Sequence, residues 1–279
     1  MPLQSLRYCL RNLTYHVSHW PPQEAQGDVI VALHGFSGSG LDFKVIAENK
    51  SKKYALYAPD FIGHGETDAP CALDEYKINA IIDSLEKMLE HYKIIKPIII
   101  GYSMGGRVAL HYAIARPKSV RALVLIGTTP GIYDEREKED RRRADYALAD
   151  EIIKFGIEAF ANKWECRPVI TTQNLIPEKH QKAIKERRRM NRPIGLANSL
   201  RGFGTGMMNP VWDKLRSINC RQLLVTGELD SKFARFAKLM QKESDLTHHV
   251  SIPKVGHAVH LESPVLFTNL LEDFLRDII

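Results

Sequence analysis

No apolar run in this 279-residue chain approaches the roughly 20 residues a bilayer crossing needs, so a membrane span is excluded. Cysteine is scarce. Cys9, Cys71, Cys166 and Cys220 are widely scattered and form no C-x-x-C pair. That excludes a disulfide scaffold and a thiolate metal site, and predicts reduced thiols in or near the core. There is no internal repeat, low-complexity tract or phosphate-binding glycine loop. The N-terminus, M-P-L-Q-S-L-R-Y-C-L-R, alternates apolar and polar residues and lacks the continuous apolar core of a signal peptide, so a cytoplasmic protein is expected. The net charge of +6 would suit a nucleic-acid surface, but no basic run is interleaved with aromatic residues that could stack on bases. Apolar residues at 44% and charged residues at 26% are ordinary globular usage, and the length suits one α/β domain.

The most informative stretch present is I-I-I-G-Y-S-M-G-G at 98 to 106. A short apolar run, read as a buried strand, ends in a glycine, with Ser103 two residues on and another glycine two residues after that. G-G-R-V-A-L-H-Y-A-I-A then reads as an amphipathic helix. Glycines bracket the serine because a sharp strand-to-helix turn leaves no room for side chains beside it. Strand, serine and helix in this order make a nucleophile elbow, G-x-S-x-G, rather than a glycine turn with an incidental serine.

Two later segments supply partners. Q-L-L-V-T-G-E-L-D reads as a strand running into a loop with Asp230, and H-H-V-S-I-P-K-V-G-H as a strand running into a loop with His257. The order serine, acid, histidine is that of the α/β-hydrolase fold, and each residue follows an apolar run at a sheet's carboxyl edge. His257 would take a proton through one ring nitrogen while Asp230 holds the other. V-I-V-A-L-H-G-F-S-G is a further strand and loop, from which the Phe36 N–H would join the Met104 N–H in an oxyanion hole. Among 11 histidines, His34 is expected to stabilise its loop and His64 to shape the turn after Y-A-L-Y-A-P-D, while His260 is the competing candidate to His257, which Gly256 and the preceding strand single out. Glu228 and Asp60 are the rival acids.

Strands are expected at about 5–18 (two), 29–34, 54–59, 97–101, 121–126, 221–226 and 248–252. Residues 135 to 200 look helical throughout. The predicted architecture is therefore an α/β-hydrolase fold with an eight-stranded, mostly parallel sheet. A helical cap, 128–208, is inserted after the sixth strand into a core of 1–127 and 209–279. The cap segment carries 16 Lys or Arg against 12 Asp or Glu, and ten of the 19 arginines, so the basic excess gathers there. Ala144, Leu148, Ile152 and Phe155 mark an apolar face. Arg141 falls on that face, either snorkelling or reaching into a pocket, while Arg142 and Arg143 point elsewhere. In Arg187-Arg188-Arg189, Arg189 is expected to face solvent and the other two are not separable by phase. Arg107, one turn after Ser103, either reaches the pocket edge or makes a structural ion pair.

Taken together, G-Y-S-M-G-G-R-V-A-L, H-G-F-S-G, G-H-G, G-E-L-D-S-K-F and G-H-A-V-H-L-E resemble the 2-succinyl-6-hydroxy-2,4-cyclohexadiene-1-carboxylate synthases of menaquinone biosynthesis. The likeness runs along nearly the whole chain and includes T-P-G-I, Trp164 and R-G-F-G-T-G-M in the cap. It implies a lyase that eliminates pyruvate from an enolpyruvyl substrate with three carboxylates, using neither metal nor organic cofactor. It also implies Ser103, Asp230 and His257 as a general-base triad, and Tyr102, Arg107, Arg141, Trp164 and Arg188 as substrate-binding residues. A serine hydrolase (esterase, thioesterase or carbon–carbon hydrolase) working through an acyl-enzyme shares the triad but has no use for three arginines. A non-catalytic module would be expected to lack a triad member, and none is missing.

Overall fold

The computed structural model describes residues 2–22, 28–49 and 54–278. Eight strands form one sheet: β1 (Gln4–Leu10), β2 (Leu13–Trp20), β3 (Val29–Leu33), β4 (Ala55–Pro59), β5 (Ile98–Tyr102), β6 (Ala122–Ile126), β7 (Arg221–Gly227) and β8 (Thr247–Ile252). Their order is β1-β2-β4-β3-β5-β6-β7-β8. The β1–β2 hairpin and the β2–β4 pair are antiparallel, and all other neighbours are parallel.

Helices are α1 (Lys44–Asn49), α2 (Ile78–His91), α3 (Met104–Ala115), α4 (Glu135–Glu165), α5 (Pro168–Thr171), α6 (Glu178–Arg189), α7 (Pro193–Phe203), α8 (Ser231–Gln241), α9 (Val259–Glu262) and α10 (Pro264–Arg276). The central strands are apolar at every position because both faces are covered. Alternation divides them. Ile99, Leu123 and Leu125 join Leu85, Met88 and Val108 on one face, while Ile98, Ile100, Val124 and Ile126 join Ile46, Phe267 and Leu271 on the other. The chain steps from β3 outward to β4, then back across β3 to β5, so the loops after β3 and β5 diverge. In open α/β sheets, ligands bind at such a switch point.

Between β6 and β7 the described chain is helical and holds no strand. Its own small core comprises Ala149, Ile152 and Phe160 of α4 with Leu196, Ala197 and Leu200 of α7. The expected apolar face of α4 needs correction. The buried positions are Asp145, Ala149 and Ile152, Ala144 and Leu148 face a cavity, and Phe155 is 60% exposed. The stripes differ because Asp145 is buried by its bonds to Arg141 Nε and the Gly206 N–H while Ala144 and Leu148 line a cavity, and the helix breaks only beyond these positions, at Gly156 (φ 79°).

Candidate active site

Ser103 sits between β5 and α3 with φ 50°, ψ −104°, a left-handed region that a side chain rarely adopts. Its N–H donates to the Ile126 carbonyl (2.8 Å), which ties the turn to β6. A Cβ at Gly105 would overlap the Leu33 carbonyl oxygen, so α3 can start this close to β3 only with glycine there. Strain at a turn so firmly held is typical of functional positions.

Asp230 caps the start of α8 beyond β7, and His257 follows β8. Asp230 Oδ2 lies 2.6 Å from His257 Nδ1, a short bond that places the proton on Nδ1 and leaves Nε2 free to accept one. His257 is buried and packs against Phe233 (4.4 Å between ring centroids) and Tyr102 (5.3 Å). Ser103 and His257 line the same cavity, yet no hydrogen bond joins them. Catalytic contacts of this kind often tighten only when substrate is bound.

The rivals are engaged elsewhere. His34 Nε2 accepts from the Phe61 N–H (3.0 Å) and its Nδ1 meets the Gly35 carbonyl (2.8 Å), so it braces its own loop. Burial, and the neighbouring His34, hold the His64 pKa down at about 3, and its Nδ1 meets Ile62 O. His260 is fully buried against Phe43 and Tyr102 with no hydrogen-bond partner on either nitrogen, and burial holds its pKa at about 4. Asp60 is bound to His16 Nδ1 and to the N–H groups of Gly40 and Glu66, while Glu228 accepts from the Lys254 N–H. Among the described residues, neither the Phe36 nor the Met104 N–H meets an acceptor, which leaves both donors available.

The cavity measures about 390 Å³. Arg107, Arg141, Arg167 and Lys232 line it against a single carboxylate, Asp145. Arg107 is 7% exposed, donates to the Phe203 carbonyl (2.7 Å) and lies 4.6 Å from the Phe203 ring. Among the described residues no carboxylate pairs with it. Burial, and then the neighbouring Arg141, hold its pKa down at about 9. The structural ion pair that spacing allowed is therefore absent. Arg141 lines the cavity and donates from Nε to Asp145 (2.8 Å), while Arg142 and Arg143 both pair with Glu139 outside it.

Arg187 and Arg188 separate clearly in three dimensions. Arg187 forks onto Asp42 through Nε (3.0 Å) and Nη2 (2.9 Å). Arg188 is buried in a second cavity of about 30 Å³ that shares Phe36, Tyr102 and Trp164 with the first. Its Nη1 is 3.7 Å from Glu165, its Nε has no partner, and the buried Trp164 Nε1 is also unpartnered. Arg189 is not turned to solvent as expected. It binds Glu158, Glu165 and Asn162 and so fastens α6 to α4. Arg167 and Lys232 were not singled out from sequence. Their signals were weak: Arg167 lies three residues after Trp164, and Lys232 two after Asp230.

Residues 28–264 match the alpha/beta hydrolase fold family. A Bacillus subtilis (strain 168) protein named "Putative 2-succinyl-6-hydroxy-2,4-cyclohexadiene-1-carboxylate synthase" is 38% identical over 90% of this chain and 91% of its own length. The synthase of that name from Photorhabdus laumondii is 28% identical over 88% of this chain and 84% of its own. The solved structure of MenH from S. aureus superposes with a TM-score of 0.89 at 33% identity, covering 94% of this chain and 98% of that one. A malate-bound esterase from Thermogutta terrifontis (TM-score 0.82, 21% identity, 99% of each chain) shares the fold. The chain belongs to the α/β-hydrolase fold family and, within it, to the 2-succinyl-6-hydroxy-2,4-cyclohexadiene-1-carboxylate synthases.

Proposed function

We propose that the protein eliminates pyruvate from 2-succinyl-5-enolpyruvyl-6-hydroxy-3-cyclohexene-1-carboxylate to give 2-succinyl-6-hydroxy-2,4-cyclohexadiene-1-carboxylate, in the cytoplasm. The observation that carries this reading is Arg107: a buried guanidinium without a carboxylate partner, one helical turn from Ser103, in a cavity with four cations and one acid. Such a cavity suits a polycarboxylate and disfavours a neutral ester.

In this reading Ser103, with His257 accepting its proton and Asp230 steadying the imidazolium, removes the ring proton beside the succinyl ketone. The released electron pair moves onto the ketone oxygen, and the Phe36 and Met104 N–H groups stabilise that enolate as they would a tetrahedral oxyanion. The enolate then collapses, a new ring double bond forms, and the bond from ring carbon to enolpyruvyl oxygen breaks; the departing enolate takes the proton held on His257 and becomes pyruvate, which restores the neutral imidazole beside the Ser103 hydroxyl. Arg107, Arg141 and Arg188 would hold carboxylates, with Tyr102 and Trp164 as walls between the two cavities. Residues 128–208 would act as the cap that excludes water. No metal or organic cofactor is assigned to these steps.

The test follows pyruvate release by a coupled assay and the intact protein mass during turnover. Fast release with unmodified protein is expected, together with slow turnover of nitrophenyl esters. A substrate-derived acyl mass that disappears in Ser103→Ala would overturn the elimination and establish a hydrolase.

A further inference from the structure

Glu262 lies in α9, five residues after His257, and lines neither cavity. Its carboxylate is nevertheless fully engaged. Oε2 accepts from the Gly256 N–H (2.7 Å), and Oε1 from the Ala258 N–H (3.0 Å). These are the two peptide N–H groups on either side of His257. Oε1 also accepts from the Thr172 hydroxyl (3.0 Å), and Thr172 belongs to the helical segment between β6 and β7. Among the described residues no lysine or arginine pairs with Glu262, so the carboxylate serves these three donors alone. The Thr172 side chain also presses on Gly256, where any Cβ would overlap its Oγ1.

We propose that Glu262 is a positioning residue for His257 and that Thr172, through it, makes the setting of the histidine depend on the seating of the helical segment. The inference rests on the reading of His257 as the base. A carboxylate holding N–H groups on both sides of one residue fixes the path of the backbone there. It thereby fixes where the imidazole enters the cavity, while Asp230 fixes only its rotation. Charge-assisted bonds of this length resist displacement more than neutral ones. The consequence is geometric. Nε2 and the Ser103 hydroxyl are not in hydrogen-bonding contact, so a small displacement of this loop decides whether proton transfer is possible. Misplacement by about 1 Å costs on the order of 100-fold in rate.

The test uses the full-length protein and two readouts. The first is kcat and KM for pyruvate release, normalised to the folded fraction. The second is the downfield proton resonance of the His257 Nδ1–H, identified by its loss in His257→Gln and independent of any substrate assignment. Glu262→Ala should lower kcat by roughly 100-fold with KM nearly unchanged, and should shift or broaden the resonance. Thr172→Val keeps shape without the hydroxyl and should lower kcat less, by about 3- to 10-fold for one lost hydrogen bond, with the resonance moving in the same sense. Thr172→Ser should restore both.

If Glu262→Ala fails to fold, Thr172→Val and Thr172→Ser decide the matter. A Glu262→Ala protein with kcat within about twofold of the parent, or with kcat lost but the His257 resonance unmoved, would overturn the proposal. So would a Thr172→Val protein indistinguishable from Thr172→Ser. A parent protein that releases no pyruvate would instead refute the proposed reaction, and the resonance would still report on Glu262.

Discussion

Replacing Arg107 with methionine should move stability and activity in opposite directions. The guanidinium is 7% exposed, its hydrogen-bond partners are the Phe203 carbonyl and the Met208 sulfur, and the repulsion from Arg141 outweighs the attraction of Asp145. A base whose pKa falls on folding, here to about 9, costs stability at every pH below that value. The cost fades as the pH rises from about 9 towards the unfolded value, because only then does the native state release the proton first.

Methionine fills much of the same volume against Phe203 without a charge. Exchanging a buried charged group for a well-packed apolar one gains about 1–3 kcal/mol in comparable cases. For a chain of this size that is a rise in Tm of about 2–4 °C per kcal/mol. The ligand-bound state changes the other way. A charged hydrogen bond to a substrate carboxylate contributes about 1.5–3 kcal/mol, so kcat/KM should fall by about 10- to 150-fold. Thermal unfolding with and without a polycarboxylate ligand, together with pyruvate-release kinetics, measures both. A Tm that drops by several degrees while kcat/KM holds would refute the reasoning and make Arg107 a structural cation.

Ser103→Ala, Asp230→Asn and His257→Ala should each lower kcat by about a thousandfold or more in the pyruvate-release assay while circular dichroism stays native. The Ser103/His257 double variant should be no worse than the poorer single variant, and losses that multiply would argue against one proton-transfer unit. Arg141→Ala and Arg188→Ala should raise the dissociation constant for substrate by about 10- to 150-fold in calorimetric titration. Arg142→Ala and Arg143→Ala, whose partner Glu139 lies outside the cavity, should stay within about twofold of the parent, and sensitivity at either would mean that α4 sits in a different register.

Legibility followed locality. Ser103, Asp230 and His257 each lie in the loop just past a stretch that reads as a strand, so they were readable as candidates before any geometry was known. Gly105 was readable too, because a sharp turn needs a residue without a side chain. The face of α4 was not. Ala144 and Leu148 face a cavity rather than packed side chains, and the charged Asp145 is buried beside Ala149, so apolar spacing selected a stripe that meets the buried one only at Ile152. Three successive arginines at 187–189 share one composition, yet one meets Asp42, one a small second cavity and one the acidic edge of α4.

The sequence by itself determined the sheet, the order of its loops and the chemical types carried on them. Those follow from hydrophobic period and turn chemistry over stretches of about ten residues. Tertiary structure alone decided which charges are left uncompensated. Arg107 lies between Gly106 and Val108, and nothing in its immediate neighbours says whether a carboxylate will meet it. Arg141 finds Asp145 four residues on in the same helix, whereas only the fold decides that Arg107 meets a backbone carbonyl and no carboxylate partner. It also sets Glu262 against both N–H groups flanking His257 and carries Thr172 across to it, 90 residues away in the chain. Electrostatic and hydrogen-bond partners of this kind are chosen by distance in space, to which sequence separation is blind.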